Sequence, residues 1–263
     1  MENFDYHRPA KLAEAEKIIS KKKEGVLMSG GMTLIPTMKQ GLATPSDVVD
    51  LSGLGNSGIK VQKTKVTIKA GTTHAEVAKN GELKKAIPAL AALAGEIGDP
   101  QVRHRGTLGG SIANNDPAAD YPAALIALDA TVITNKRKIA ADKFFKGMFE
   151  TALRRGEIVT AVDFPIPEKA GYAKFPNPAS RYAIVGVFVA DHGKSVRVGV
   201  TGAGPGVFRQ KAMERALAKN FSAAAVAGIA TSADDLNEDM HASADYRAHL
   251  VGVMAGRAIK AAK

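Results

Sequence analysis

Apolar residues recur at helical spacing over positions 10–24. Leu12, Ala15, Ile18 and Ile19 share one face, the charges lie elsewhere, and Gly25 ends the pattern, so an amphipathic helix is predicted there. Val26-Leu27-Met28-Ser29 is an apolar run of buried-strand length. Gly30-Gly31 breaks it, and residues 33–38 open a helix that tolerates Pro36 in its first turn. Val48-Val49-Asp50-Leu51 reads as the next strand, followed by a loop with Gly53, Gly55 and Gly58. Residues 61–70 alternate through Val61, Val66 and Ile68, as one or two half-buried strands would. Helices are predicted over 73–79, with Thr72 or Thr73 as cap, and over 88–97 and 122–128; strands over 130–134 and 158–164. Residues 101–120 are rich in Gly, Asn and Asp and read as irregular.

Past Pro165 and Pro167 the pattern changes. Residues 172–175, 182–190 and 196–201 read as antiparallel strands, with a hairpin turn at His192-Gly193, and 209–219, 222–231 and 243–262 as helices. Strands followed by helices predict a small α+β unit, and the Pro-x-Pro pair marks the boundary before it. No internal repeat of fixed period is present.

Composition narrows the chemistry. At 45% hydrophobic and 24% charged, the 263 residues suit one large soluble globular domain or two smaller ones. There is no cysteine, which excludes disulfides and thiolate-held zinc, iron–sulfur or haem on this chain. The six histidines are scattered without ligand spacing, so no metal site is predicted. No targeting signal is read at the start of the chain, and no stretch approaches the roughly 18 consecutive apolar residues of a membrane helix. The formal charge is +10. Its longest run is only Lys21-Lys22-Lys23, and aromatic residues are 5% with no Trp, so stacking platforms for nucleic acid are scarce. The charge reads as a solubility and docking feature facing an acidic partner or an anionic membrane surface.

Two glycine-rich turns are the candidate chemistry: Ser29-Gly30-Gly31-Met32-Thr33 and Gly106-Thr107-Leu108-Gly109-Gly110-Ser111. Tandem glycines let backbone approach a ligand, and a strand–Gly–Gly–helix turn points amides at an anion. Two such turns can grip the two phosphates of a dinucleotide; taken singly, each is most simply a structural turn. No Gly-x-Gly-x-x-Gly follows the first strand, no P-loop is complete at Gly193-Lys194-Ser195, and no Gly-x-Ser-x-Gly elbow occurs. Asn114, Asn115, Asp116 and Asp120 crowd the segment after the second turn. A carboxylate there can accept from ribose or ribityl hydroxyls, or Asp116 or Asp120 can cap the helix before Pro122. His74 reads as a capping or core residue.

These motifs resemble those of the FAD-binding medium subunits of molybdenum hydroxylases, the carbon monoxide dehydrogenase and xanthine dehydrogenase family. The resemblance runs through Val26 to Pro36, Ala70-Gly71-Thr72-Thr73-His74, Ile97-Gly98-Asp99-Pro100, Gly106 to Ser111, Asn114-Asn115-Asp116-Pro117, Asp120-Tyr121-Pro122, Pro178-Ala179-Ser180-Arg181-Tyr182 and His241 to Arg247, nearly the whole chain. It implies an α+β fold: an FAD-binding domain of the vanillyl-alcohol-oxidase (PCMH) type over 1–168, with subdomains near 1–55 and 56–168, and a small antiparallel sheet-and-helix domain over 172–263. By the resemblance, Ser29, Gly30, Gly31, Met32, Thr33 and Leu34 form the first diphosphate loop, and Thr107, Leu108, Gly109, Gly110 and Ser111 the second. Asp120 is the acidic residue that binds FAD, Ile97 and Ile158 (or Val159) are apolar neighbours of the cofactor, and Lys174 is a lysine near the flavin ring that tunes it. Met32 stands where the family commonly has His, Gln or another polar residue, and Ser111 where Asn is frequent. The expected function is electron transfer through FAD, from iron–sulfur clusters on a small partner subunit to a quinone, NAD or oxygen. The molybdenum cofactor would sit on a large partner subunit, in a dimer of heterotrimers in the cytoplasm or at the inner face of the membrane. A stand-alone FAD oxidoreductase of the same fold and a basic nucleic-acid or anion-binding protein are the alternative readings.

Overall fold

The computed structural model describes residues 1–263. The chain first builds a three-stranded parallel sheet from β1 (Asp5–His7), α1 (Leu12–Lys21), β2 (Gly25–Met28), α2 (Leu34–Lys39) and β3 (Asp47–Asp50), in strand order β1-β3-β2. β1 is absent from the apolar pattern because its residues are polar. Side-chain bonds to β3 hold it instead: the Tyr6 hydroxyl donates to Asp50 Oδ2 at 2.6 Å, and His7 Nε2 lies 2.7 Å from Asp47 Oδ1. Ala15 and Ile19 of α1 pack on Val49 and Ile158, as the helical spacing predicted.

A five-stranded antiparallel sheet follows. After β4 (Ile59–Val61) and β5 (Lys65–Lys69) come α3 (His74–Lys79), α4 (Gly81–Ala86), α5 (Pro88–Gly95), α6 (Pro100–Arg105), α7 (Leu108–Asn114) and α8 (Tyr121–Ala127). Then β6 (Thr131–Thr134), β7 (Lys138–Ala140), α9 (Ala141–Phe144), a hairpin of β8 (Phe145–Gly147) and β9 (Glu150–Thr151), and β10 (Val159–Pro165) complete it, in sheet order β4-β5-β10-β6-β7. The segment 101–120 is not irregular, as its composition suggested. Asp99 Oδ1 caps α6 by accepting from Val102 N at 2.8 Å, with Pro100 in the first turn, and Thr107 Oγ1 caps α7 by accepting from Gly110 N at 3.1 Å.

The C-terminal part is an antiparallel sheet, β11 (Lys169–Pro176), β12 (Ala183–Asp191), β13 (Val196–Thr201) and β14 (Phe208–Arg209), in sequential order, followed by α10 (Lys211–Leu217), α11 (Ala223–Val226) and α12 (Ala244–Ala261). The helix predicted over 222–231 is the single turn α11. On β12, Val185, Val187 and Val189 face α10 and α12, while Phe188 and Ala190 join the core of the first domain. That core of 32 buried residues thus includes Ala170, Tyr172, Phe188 and Ala190, so the last sheet is fused to the N-terminal region rather than tethered beside it. No helix is long and apolar enough to cross a membrane.

Candidate cofactor site

A cleft of about 1060 Å³ lies between the two N-terminal subdomains, at the upper end of ligand-site volumes of about 300–1,000 Å³. Its floor is the pair of glycine turns. They pack backbone to backbone, because a Cβ on Gly30 would lie 2.1 Å from the carbonyl oxygen of Arg105. Thr107 bridges them, its hydroxyl donating to Ser29 Oγ at 2.9 Å.

The two turns are not equivalent. In the second, Leu108 N donates to Thr72 O at 3.0 Å, Gly109 N to Ala70 O at 2.8 Å and Ser111 N to Thr107 O at 3.0 Å, while Gly110 N meets the Thr107 cap. Two of those amides are consumed in fixing the loop to Ala70 and Thr72, and two in closing the first turn of α7 on Thr107. In the first, the amides of Gly30, Gly31, Met32, Thr33 and Leu34 donate to no group in the chain. Gly31, at φ +74°, turns this run of amides after β2 into α2. Five consecutive free amides on residues that line a cleft are available to anionic oxygens. Gly110 keeps the cleft open beside Ser29: a Cβ there would lie 3.0 Å from Thr107 Oγ1 and 3.7 Å from Ser29 Cβ. Arg105, Arg154 and Arg181 line the same cleft, and no hydrogen bond or ion pair within the chain engages their side chains, which makes the surroundings favourable for a polyanion.

Of the residues singled out in the sequence, Ser29, Gly30, Gly31, Met32, Thr33, Leu34, Ile97, Thr107, Gly109, Gly110, Ser111, Asp120 and Ile158 all line this cleft. Leu108 and Lys174 do not. Leu108 is a fully buried core side chain. Lys174 sits behind Asp120, its Nζ 2.9 Å from Asp120 Oδ1 and donating to the carbonyl oxygens of Glu96 (2.8 Å) and Arg181 (3.0 Å). Neither Asp116 nor Asp120 caps α8. Asp116 Oδ1 accepts from Ala118 N at 2.9 Å, and Asp120 Oδ1 accepts from the Tyr172 hydroxyl and Lys174. Burial pushes the Asp120 carboxyl above its ordinary range, opposed by Lys174 and Tyr172. Asn115 is structural: in a left-handed conformation (φ 47°), its Nδ2 donates to Gly147 O and Glu150 O, both at 2.8 Å.

Two cleft residues carry more than their sequence signal. Tyr182, 41% exposed, comes from the C-terminal domain and reaches beside Thr33 of the first turn. It lies just before β12, and nothing in its spacing marks it as a wall of a cleft built elsewhere. His74, 4% exposed, rests against Gly106, where a Cβ would be 2.7 Å from its Nε2. Burial, with Arg103 nearby, pushes its pKa down to about 4. Away from the cleft, Asp5, His7 and Asp47 gather donor atoms within 4.8 Å of one another, separated by 40 residues and so invisible to ligand spacing; Lys22 Nζ already lies 3.0 Å from Asp47 Oδ1.

A parallel α/β subdomain and an antiparallel one enclose the cleft, and the Ser180-Arg181-Tyr182 turn of the C-terminal domain closes one side of it, an arrangement suited to a dinucleotide cofactor. The family model for the FAD binding domain in molybdopterin dehydrogenase matches residues 2–167, and that for the CO dehydrogenase flavoprotein C-terminal domain matches 170–262. The chain is similar to the carbon monoxide dehydrogenase medium chain of Afipia carboxidovorans, at 35% identity over 99% of this chain and 97% of the relative. It is also similar to the nicotine 6-hydroxylase medium subunit of Paenarthrobacter nicotinovorans, at 34% identity over 97% and 95%. Its fold superposes on a carbon monoxide dehydrogenase structure from Hydrogenophaga pseudoflava with a TM-score of 0.88, at 30% identity over 99% and 97% of the two chains. The chain belongs to the family of FAD-binding medium subunits of molybdopterin dehydrogenases, oxidoreductases of the carbon monoxide dehydrogenase and xanthine dehydrogenase type.

Proposed function

We propose that this chain carries FAD in the cleft between its N-terminal subdomains and passes electrons from a partner's iron–sulfur clusters to an acceptor such as a quinone, NAD or oxygen. The observation that carries the reading is the run of free amides from Gly30 to Leu34, on residues that line the same cleft as Gly110. These amides, with Ser29, Thr107 and Ser111, would hold the diphosphate, and Arg105, Arg154 and Arg181 would balance its charge. Asp120 presents its second carboxylate oxygen to ribityl or ring donors, since both its partners use Oδ1. Ile97, Ile158 and Tyr182 offer the apolar and aromatic surface against which a flavin ring packs. When bound, FAD supplies a centre able to exchange one or two electrons. The chain's own task is to bind and orient it and to keep bulk water from the ring.

The lack of cysteine supports a division of labour with the clusters on a small subunit; the reading also places the molybdenum cofactor on a large subunit, in a dimer of heterotrimers in the cytoplasm or at the inner face of the membrane. The medium-chain and medium-subunit names of the relatives support the presence of partner subunits. Size exclusion of a cell extract, followed by detection of this chain, tests it. Elution in a complex several times the mass of the chain is expected; elution of active flavoprotein at the mass of the single chain favours a stand-alone oxidoreductase.

A further inference from the structure

The buried ammonium of Lys174 meets three acceptors, and each belongs to a different segment of the cleft wall. Lys174 lies on β11, on the same face as Ala170 and Tyr172, which join the core of the first domain. Its side chain is 2% exposed. Its Nζ donates to Glu96 O at 2.8 Å and to Arg181 O at 3.0 Å, and pairs with Asp120 Oδ1 at 2.9 Å. Glu96 immediately precedes Ile97 and Arg181 immediately precedes Tyr182. Ile97, Tyr182 and Asp120 all line the cleft, whereas Lys174 does not.

Two further features belong to this arrangement. Arg181 has φ +62°, a left-handed conformation unfavourable for a residue with a Cβ; Asn177 closes the turn, its N–H donating to Tyr182 O at 2.8 Å and its carbonyl accepting from Arg181 N at 2.9 Å, and Lys174 adds a tie from this turn to the C-terminal sheet. Tyr172 donates to the same Oδ1 of Asp120, and glycine stands at 186 because a Cβ there would lie 2.6 Å from the Tyr172 hydroxyl. The C-terminal sheet thereby fixes three wall segments from behind.

We propose that Lys174 is a positioning residue: it ties the Ile97, Asp120 and Tyr182 segments to the C-terminal sheet and so sets the shape of the cleft, without touching the cofactor. The proposal rests on the reading of the cleft as an FAD site. It predicts that the packing of Tyr182 on bound flavin, and the fluorescence quenching that such packing causes, depend on Lys174.

The test uses the full chain saturated with FAD, below the melting temperature of every variant. Tyr182→Leu is expected to raise the fluorescence yield of bound FAD, because the packed ring is lost. Lys174→Met is expected to raise it too, by about twofold or more, with FAD affinity about tenfold weaker, as follows when a supporting contact is lost and a site loosens. The double variant should give no further rise, since both changes displace the same ring. If Lys174→Met lowers only the melting temperature and leaves the yield of bound FAD at the wild-type value, Lys174 is a stabilising residue and the proposal is overturned. If the two changes add, Lys174 acts on the flavin by a separate route and the proposal is again overturned. Lys174→Gln keeps two N–H donors in a shorter side chain. It is expected to fall between wild type and Lys174→Met, and a wild-type yield in it overturns the proposal if Lys174→Met does not fold. A wild-type chain that binds no FAD, or a Tyr182→Leu chain with unchanged yield, instead overturns the underlying reading of the cleft.

Discussion

Glycine does different work at positions that look alike in the sequence. Gly30 touches backbone of the other turn, with no room for a Cβ beside Arg105 O, so Gly30→Ala is expected to disturb the floor itself. Gly110 faces the open cleft. Gly110→Val is therefore expected to fold, with a modest loss of melting temperature because its Cβ would press on Thr107 Oγ1 at 3.0 Å, and to lose FAD affinity by about tenfold or more, because its branches enter the cleft beside Ser29. Equilibrium titration with FAD beside a thermal melt separates the two effects. His74 makes a prediction about pH. Its folded pKa is pushed down to about 4 from 6.5, chiefly by burial, so the unfolded chain takes up the proton first. Stability is then unaffected above pH 6.5 and falls as pH drops from 6.5 to 4, by on the order of 3 kcal/mol in all. Denaturant melts across that range should show the decline, and His74→Gln should flatten it.

At the scale of elements, α7 is the part least visible in the sequence and closest to the site. Thr107 caps it, and the same hydroxyl bridges to Ser29 in the first turn. Thr107→Ala is expected to cost about 1 kcal/mol of stability as a lost cap and to weaken FAD binding, while Thr107→Ser retains both; a urea melt and an FAD titration check it. The first turn was legible because Val26-Leu27-Met28 is an apolar run that ends in two glycines and restarts as a helix; the run is only half-buried rather than buried as its composition predicted, because it lines the cleft. The second was legible as a motif but not as an element, because Gly109 and Gly110 lower helix propensity and hide the helix that Thr107 caps. That the first turn keeps free amides and the second does not depends on Ala70 O and Thr72 O, more than thirty residues upstream, which no local pattern reveals. Lys174 is a similar case. The resemblance puts it near the flavin, but its three acceptors, Glu96 O, Asp120 Oδ1 and Arg181 O, come from separate segments, and only the docking of β11 on the first domain shows that it stands behind the wall.

For the whole molecule, the joint between the domains is tight. Arg197 of β13 pairs with Asp129 and Asp142, Thr201 Oγ1 donates to Ala119 O at 2.6 Å, and a Cβ on Gly199 would lie 2.3 Å from Ala123 O. With the core continuous across this joint, calorimetry of the wild-type chain is expected to show one unfolding transition, and Gly199→Val to separate it into two or to prevent stable docking. The charge of +10 has only a small share in the cleft, through Arg105, Arg154 and Arg181; the remainder is available to solvent and partners. The central claim is that the cleft is an FAD site organised by the first turn. It is tested most directly by the visible absorbance spectrum of the gently purified, desalted chain, calibrated for flavin released on denaturation. The account predicts one FAD per wild-type chain and a small fraction of that for Gly110→Val. A wild-type chain without bound flavin that stays without it after incubation with FAD, or a Gly110→Val chain that keeps one FAD, would contradict it.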